Sequence, residues 1–230
     1  MKPDPALAHK QEAILCQTAM LGHAFANQHR LKLVSLLAQS SKTVEKLAQA
    51  IGQSVAATSA HLKVLRSAGV VTARKVGRHV HYQLRSEKAA TFALDLRRLA
   101  EEVLPEVRDI MREYFENPES LSPLTERELL EEIKAGRVLV LDLRPEDEFA
   151  AGHLPRAIHI PLADLKERAR HLPRKAKFLA YCRGPFCLTA VHGTDTLRAM
   201  GLDVRRLRFG VPEWKAARHP VERAIAQPNV

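Results

Sequence analysis

Two cysteines bracket the short stretch Cys182-Arg183-Gly184-Pro185-Phe186-Cys187. The apolar run Phe178-Leu179-Ala180-Tyr181 precedes it, and a helical pattern begins near Leu188. A thiol set between the end of a buried strand and the start of a helix lies at the carboxyl edge of a parallel sheet, where such sheets bind ligands. Successive N–H groups of a tight loop form an anion nest, and the helix dipole adds partial positive charge. Both should favour the thiolate and make Cys182 an accessible nucleophile. Pro185 has no N–H, so the nest has a gap there. Arg183 either binds an anionic substrate or points to solvent. Cys187 is either a small buried residue or a resolving thiol, because closely paired thiols serve redox sensing. Gly184, Phe186 and Leu188 complete the candidate substrate-binding loop.

The surrounding elements alternate between strand and helix. Thr125-Glu126-Arg127-Glu128 is a capping box that opens a helix to Ala135, with Gly136 at its end. Val138 to Leu141 reads as a strand buried on both faces. Ala157 to Ile160 is a strand, Ala163 to His171 a helix, Phe178 to Tyr181 a strand and Leu188 to Met200 a helix. Val204 to Leu207 is a further strand and Pro212 to Ala217 a last short helix, which together predict an α/β domain with a mainly parallel sheet. The cysteine loop, with Asp142-Leu143-Arg144, Glu148-Phe149, Gly152-His153-Leu154-Pro155 and Ala157-Ile158-His159-Ile160-Pro161 in order, resembles a rhodanese domain from about Thr125 to Val221. The resemblance implies that Cys182 accepts sulfane sulfur as a persulfide from a donor such as thiosulfate or another persulfide. It also assigns Asp142, Arg144, Glu148 and His153 to shaping the fold. Gly210-Val211 stands where that family usually has Gly-Gly. A Cys-based phosphatase or arsenate reductase of this fold would need Arg at the sixth position after its cysteine, and Leu188 stands there instead. A persulfide on Cys182 could condense with Cys187, changing the charge and shape of the loop.

The other informative stretch runs from Gln53 to Arg85. Ser54 caps a helix that Gly69 ends. On that helix Val55, Thr58, Leu62 and Leu65 share one arc. Ala56, Ala60, Lys63 and Ser67 lie opposite, with Ser59 at the margin. An outward face that is small and weakly basic lets a backbone approach a major groove closely. Next comes a two-stranded hairpin in which Val80, Tyr82 and Leu84 alternate with His79, His81 and Gln83, turning at Gly77. Arg74, Lys75, Arg78 and His79 cluster at its tip, where phosphates could be met. A shorter helix, Thr43 to Ile51, precedes and ends at Gly52. Helix, tight turn, helix and wing, with Ser59, His61, Leu62 and Leu65 in a Ser-x-His-Leu-x-x-Leu pattern, resemble the ArsR/SmtB repressor family over about residues 10 to 116. This implies binding of double-stranded operator DNA, with Ser54, Ala56, Ser59, Ala60, His61, Lys63 and the four wing-tip residues as the candidate contacts.

Charge is distributed accordingly. Residues 10 to 85 hold 11 Lys and Arg against 2 Asp and Glu, whereas residues 86 to 120 hold 5 against 9. Cations are thus concentrated on the DNA-binding candidate, as phosphate neutralisation requires. Asp4-Pro5 begins a helix running to about Ala26, and Asn27 caps a second through Leu37. Phe92, Leu96, Leu99, Val103, Val107, Ile110 and Tyr114 form an apolar stripe over Glu87 to Glu116, wide enough to pair with another helix, and Pro105 should kink or divide it. In the resembled family the first and last helices make the dimer interface, so a homodimer is expected.

The expected organisation is two domains. The first, residues 1–116, is a mainly α winged helix-turn-helix; 117–124 is a linker; 125–223 is rhodanese-like; 224–230 is a tail. Cys16 is read as core or interface, and Trp214 as core. Metal-responsive members of the resembled family carry paired thiols before the recognition helix or ligand sets on the last helix. Thr43 to Ala50 has no Cys or His and Glu87 to Glu116 no His, so no metal is expected, nor any other cofactor. No apolar run is long enough to span a bilayer and no signal peptide is read, so a cytoplasmic protein without membrane contact is expected. The resulting expectation is a regulator of transcription, a repressor by resemblance, that responds to reactive sulfur at Cys182. The rival reading is a sulfurtransferase with rhodanese-type activity and an accessory DNA-binding module.

Overall fold

The computed structural model describes residues 5–224; Asp4 and the tail from 225 onward, on which two of the expectations fall, lie outside the described residues. The backbone gathers into two compact units, Met1–Ala93 and Leu94–Val230.

In the first unit, α1 (Pro5–Phe25) leads to α2 (Gln28–Leu37), which Asn27 caps by accepting from the N–H groups of His29 and Arg30. A short strand β1 (Lys42–Thr43) follows, then α3 (Val44–Ile51) and α4 (Val55–Ser67). The bend between α3 and α4 is set by Gly52, whose φ of 67° closes α3 in the left-handed conformation, and by Ser54, whose hydroxyl accepts from Ala57 N–H. Strands β2 (Val71–Val76) and β3 (His79–Leu84) form the antiparallel hairpin turning at Gly77. The wing is not two-stranded: β1 pairs with β3, giving the order β1-β3-β2. Two residues cannot show a period, so that strand leaves no signal in the sequence. The core joins Leu33, Val34, Leu37, Leu47, Leu62, Leu65 and Val71. Val55 and Val80, placed on inward arcs by pattern, are exposed, because one sits in the first turn of α4 and the other near the hairpin tip, where little chain remains to cover them.

Helix α5 (Glu87–Val103) runs across the border of the two units. Pro105 divides it from α6 (Pro105–Tyr114), since proline removes a backbone donor and clashes with the preceding turn. The apolar stripe on these helices is left open by the chain's own packing: Phe92, Leu99, Val103, Ile110 and Tyr114 are all exposed. So are Ile14, Leu15, Met20 and Leu21 of α1.

The second unit continues with α7 (Glu126–Lys134), opened by the Thr125–Glu128 capping box. Then come β4 (Leu139–Asp142), α8 (Glu146–Ala151) and β5 (Ile158–His159). The segment expected as one helix over 163–171 is instead α9 (Leu165–Arg168) flanked by two 3₁₀ turns. After it follow β6 (Lys177–Tyr181), α10 (Leu188–Ala199), β7 (Asp203–Arg206) and α11 (Val211–Ala216). All neighbouring strands are parallel, in the order β5-β4-β6-β7. The run Phe178 to Tyr181 is apolar throughout because both faces of β6 are covered. Phe178 and Ala180 join Leu165, Ala190 and Leu197 on one side, and Leu179 and Tyr181 join Leu129, Ile133 and Trp214 on the other. The segment 117–124 is docked rather than a free spacer, with Ser122 N–H donating to Arg206 O at 2.8 Å and Arg206 N–H to Ser120 O at 2.7 Å.

One polar network is sealed inside this unit. Asp142 and Arg144, both fully buried, pair at 2.6 Å. The Tyr181 hydroxyl donates to Asp142 Oδ2 at 2.5 Å and accepts from Leu154 N–H, while Arg144 also reaches Gly152 O. Removing one partner strands the others away from water. Tyr181→Phe should therefore cost about 1–3 kcal/mol, and Arg144→Met, which leaves a buried carboxylate without its cation, about 3–5 kcal/mol. Urea unfolding with an unchanged slope checks both; midpoints within error of the native protein would refute the assigned role.

Candidate functional site

Tyr181, the last residue of β6, hands the chain directly to Cys182. The loop that follows is pressed against the backbone on its far side. A Cβ on Gly210 would lie 2.7 Å from Cys182 O and 2.9 Å from Gly184 N, so only glycine permits this approach. The family departure at Val211 leaves that contact intact, because Val211 turns into the core. Beneath Gly184 lies Glu213, whose Oε2 accepts from Gly210 N–H at 2.9 Å and whose carboxyl pKa burial raises. At the loop's far end, Cys187 is the N-cap of α10, its own N–H donating to Gly184 O at 3.2 Å.

The two thiols meet. Cys182 is 2 % exposed, whereas Cys187 is half-buried. Cys187 packs against the core cluster that contains Cys182, and each thiol shifts the other's pKa, upward for Cys182 and downward for Cys187. The Cys182 pKa is pushed up by its bond to Cys187 and then by burial. The Cys187 pKa is lowered to about 5, first by the Cys182 thiol and against the effect of burial. The N–H groups of Arg183 and Ala190 and the Thr189 hydroxyl act in the same direction, although Cys187 makes no close cap bond to the helix. Cys182 is thus sealed in the fold, and Cys187 is the thiol nearer to water.

Arg183 is paired within the fold, with its side chain 32 % exposed. It forks onto the fully buried Glu148, with Nε to Oε2 at 2.9 Å and Nη2 to Oε1 at 2.8 Å. This is the bidentate geometry in which guanidinium and carboxylate bind most firmly. Phe186 at the loop tip packs under Arg97, whose guanidinium carbon is 4.6 Å from the ring centre, and edge-on to Phe115. Arg206 supports the same tip, donating to the carbonyls of Pro185 and Phe115. Leu188 is exposed on the first turn of α10. A cleft of about 320 Å³ opens beside Pro185 and Phe186, lined by Arg97, Arg206, Phe115 and Glu213 among others, but neither cysteine lines it. Arg97, Arg206 and Glu213 were missed by sequence reading. Arg97 lies in a helix whose pattern spoke only of an apolar stripe, and nothing local marks Arg206 or Glu213 as loop supports. His153 stacks on Phe149 with ring centres 3.8 Å apart, and Trp214 is fully buried.

On the first unit, Ser54, Ala56, Ser59, Ala60 and Lys63 are exposed along α4, while Thr58, Leu62 and Leu65 are buried beneath them. His61 is the exception on this face. It stacks on His29 at 5.3 Å, and partial burial followed by its cationic neighbours lowers its pKa, so it is a packed ring rather than a free contact. Arg74, Lys75, Arg78 and His79 are exposed together at the end of the hairpin. Cys16 is exposed on α1, which excludes the core reading for it.

Residues 27–73 match the family described as bacterial regulatory protein, arsR family, and residues 125–217 match the rhodanese-like domain. The HTH-type transcriptional regulator Rv0324 of Mycobacterium tuberculosis is 37% identical over 213 residues, which cover 93% of this chain and 93% of that one. Among solved structures, the homodimeric winged helix-turn-helix DNA-binding domain of Mb0332 from Mycobacterium bovis is 36% identical with a TM-score of 0.40, covering 42% of this chain and 90% of that one. A rhodanese-related protein from Thermoplasma volcanium is 26% identical with a TM-score of 0.39, covering 43% of this chain and 95% of that one. With both halves matched in order and one relative matched along nearly its full length, the chain belongs to the ArsR family of bacterial HTH-type transcriptional regulators, in a form that carries a rhodanese-like domain.

Proposed function

We propose that this regulator is a homodimer that binds operator DNA through α4 and the wing, and that its affinity for DNA responds to reactive sulfur captured as a persulfide on Cys182. The observation that carries this reading is the joining, in one polypeptide, of an outward basic helix and hairpin tip to a strand-end loop holding two facing thiols. The outward residues of α4 are small enough for a close approach to base edges, and the wing cations are exposed where phosphates pass. Dimerisation is supported by the apolar stripes of α1, α5 and α6 that the chain leaves open, since exposed apolar area on this scale marks an interaction surface. A two-fold reader also explains how one short helix would gain enough contacts for specificity.

Sulfur chemistry at the loop is supported by the rhodanese-like match and by a second thiol, Cys187, packed against the core cluster that holds Cys182. Cys187 is the more exposed of the two thiols. A sulfurtransferase that uses the winged helix only for location is the second reading, favoured by the same loop. Cys182→Ser separates the two: lost turnover with regulation intact would favour the transferase.

The DNA claim is checked by titrating a promoter fragment at several salt concentrations. Arg78→Ala should weaken binding about equally across sequences and flatten the salt dependence by about one phosphate's worth. An unchanged slope would remove the wing from the interface. For sensing, operator affinity is measured before and after a sulfane-sulfur donor, and the native protein should change whereas Cys182→Ser should not. Identical affinity in the native protein with and without donor would end the sensing claim. The thiol assignment has its own test in alkylation against pH. A group with a lowered pKa keeps its thiolate as pH falls through the ordinary thiol range of about 8–9, and loses it only below its own pKa. Cys187 should therefore still react rapidly well under pH 7 in peptide-mapped alkylation, with Cys182 slow throughout; the reverse order would overturn the assignment.

A further inference from the structure

A sulfur atom delivered to this loop would arrive where two thiols already touch. Cys182 Sγ and Cys187 Sγ are hydrogen-bonded partners, so the atom of Cys182 that Cys187 meets is the one bonded to its own Cβ. A persulfide on Cys182 would extend that atom outward by one sulfur without moving it from Cys187. Outside thiols meet a residue that is 2 % exposed, whereas Cys187 is in contact from within. Access therefore favours the internal reaction over transfer to a large acceptor. Any resolving thiol must be a thiolate to attack, and Cys187 is the half-buried member of the pair, with a pKa lowered by its neighbours.

We propose that the loop is a sulfane-sulfur-reducing couple, in which Cys187 resolves a Cys182 persulfide into an intramolecular Cys182–Cys187 disulfide and the outer sulfur leaves as hydrosulfide. The inference rests on the reading that Cys182 accepts sulfane sulfur. In the first step the Cys182 proton passes to its partner Cys187, Cys182 attacks the terminal sulfur of a low-molecular-weight persulfide, an S–S bond forms there as the donor's own S–S bond breaks, and the donor departs as a thiolate that takes the proton on from Cys187. In the second step the Cys187 thiolate attacks Cys182 Sγ. The bond between the two Sγ atoms forms, the bond to the outer sulfur breaks, and that sulfur leaves with the bonding pair and its own proton as HS⁻. The two protein sulfurs lose one electron each and the departing sulfur gains both. Two equivalents of a low-molecular-weight thiol restore the dithiol and end as their own disulfide.

The loop is shaped for this closure. The sulfurs must draw in from hydrogen-bond contact to a bond of about 2.05 Å. Gly184, at a φ of 121°, and the single Cys187 N–H to Gly184 O contact form the turn that would tighten. Closure also removes the loop's negative charge, which acts favourably on Arg183 and Arg206. Arg206 holds the carbonyls of Pro185 and Phe115, so the change in charge falls on a residue that braces the loop tip.

The test uses the full-length reduced protein, free of oxygen, mixed with one equivalent of a low-molecular-weight persulfide. Free sulfide, intact mass and the 182–187 peptide map are read together. The expected result is sulfide released in equal amount to protein, loss of the mass of two hydrogens, and a Cys182–Cys187 disulfide. Cys187→Ser and Cys187→Ala should gain one sulfur and release none, and Cys182→Ser should neither gain sulfur nor release sulfide. A native protein that keeps the added sulfur, with no disulfide and no sulfide, overturns resolution while leaving persulfide capture standing. If the Cys187 variants and the native protein all fail to gain or release sulfur, capture itself fails and the inference falls with it. The native measurements decide the matter even where a variant folds poorly.

Discussion

Asp142 is the constraint on which the reactive edge of the sheet depends. A carboxylate taken out of water is expensive, and it is tolerated here because Arg144 and the Tyr181 hydroxyl meet it directly. Tyr181 is the residue before Cys182, so the same bond that satisfies the carboxylate fixes where β6 ends and where the loop leaves it. Leu154 N–H and Gly152 O are drawn into the network, which ties the β4–α8–β5 connection to the same point. The second buried pair, Glu148 with Arg183, then anchors the first residue after the cysteine. Two ion pairs thus hold both sides of Cys182. Charged residues beside the thiol are there to hold it still.

With the loop held, its electrostatics follow from which donors lie at which end. Reasoning from a strand–loop–helix outline assigned the dipole and the amides to the first cysteine, because that is where a loop begins. In the folded loop Cys187, not Cys182, occupies the N-cap position, and Cys182 adds its own S–H to the groups around it. Burial then raises both thiols, while the N–H groups of Arg183 and Ala190 and the Thr189 hydroxyl act against it at Cys187.

How much of this was legible depended on the length of the signal. Caps and breakers were read correctly where a residue type has one physical use, as at Asn27, Gly52, Ser54 and Thr125. The buried strand β6 was legible because an unbroken apolar run of that length needs cover on both faces. Two-residue β1 was not, since its pairing is set by β3 and not by its own sequence. The partner of Arg183 was hidden for a related reason. Its partner Glu148 lies 35 positions away, and no local pattern reports a contact over that separation. His61 shows the limit of a motif: its place on the helix was right, while the stacking on His29 that draws it inward comes from α2.

The three cysteines occupy three different environments, and that difference bears on what the chain can distinguish. Cys16 is exposed on α1, Cys187 is half-buried and Cys182 is sealed. A bulky or indiscriminate thiol reagent would meet Cys16 first, in a helix whose neighbouring Ile14, Leu15 and Met20 are also open. In the proposed homodimer that face would be covered, and Cys16 with it, leaving Cys187 as the thiol most open to solvent. Its charge makes it reactive, but its contact with Cys182 means that chemistry begun at one sulfur can be completed at the other. A single exposed thiolate would record any electrophile. A paired one, with one member shut away, retains only changes that both members can share, and a sulfur–sulfur bond is such a change.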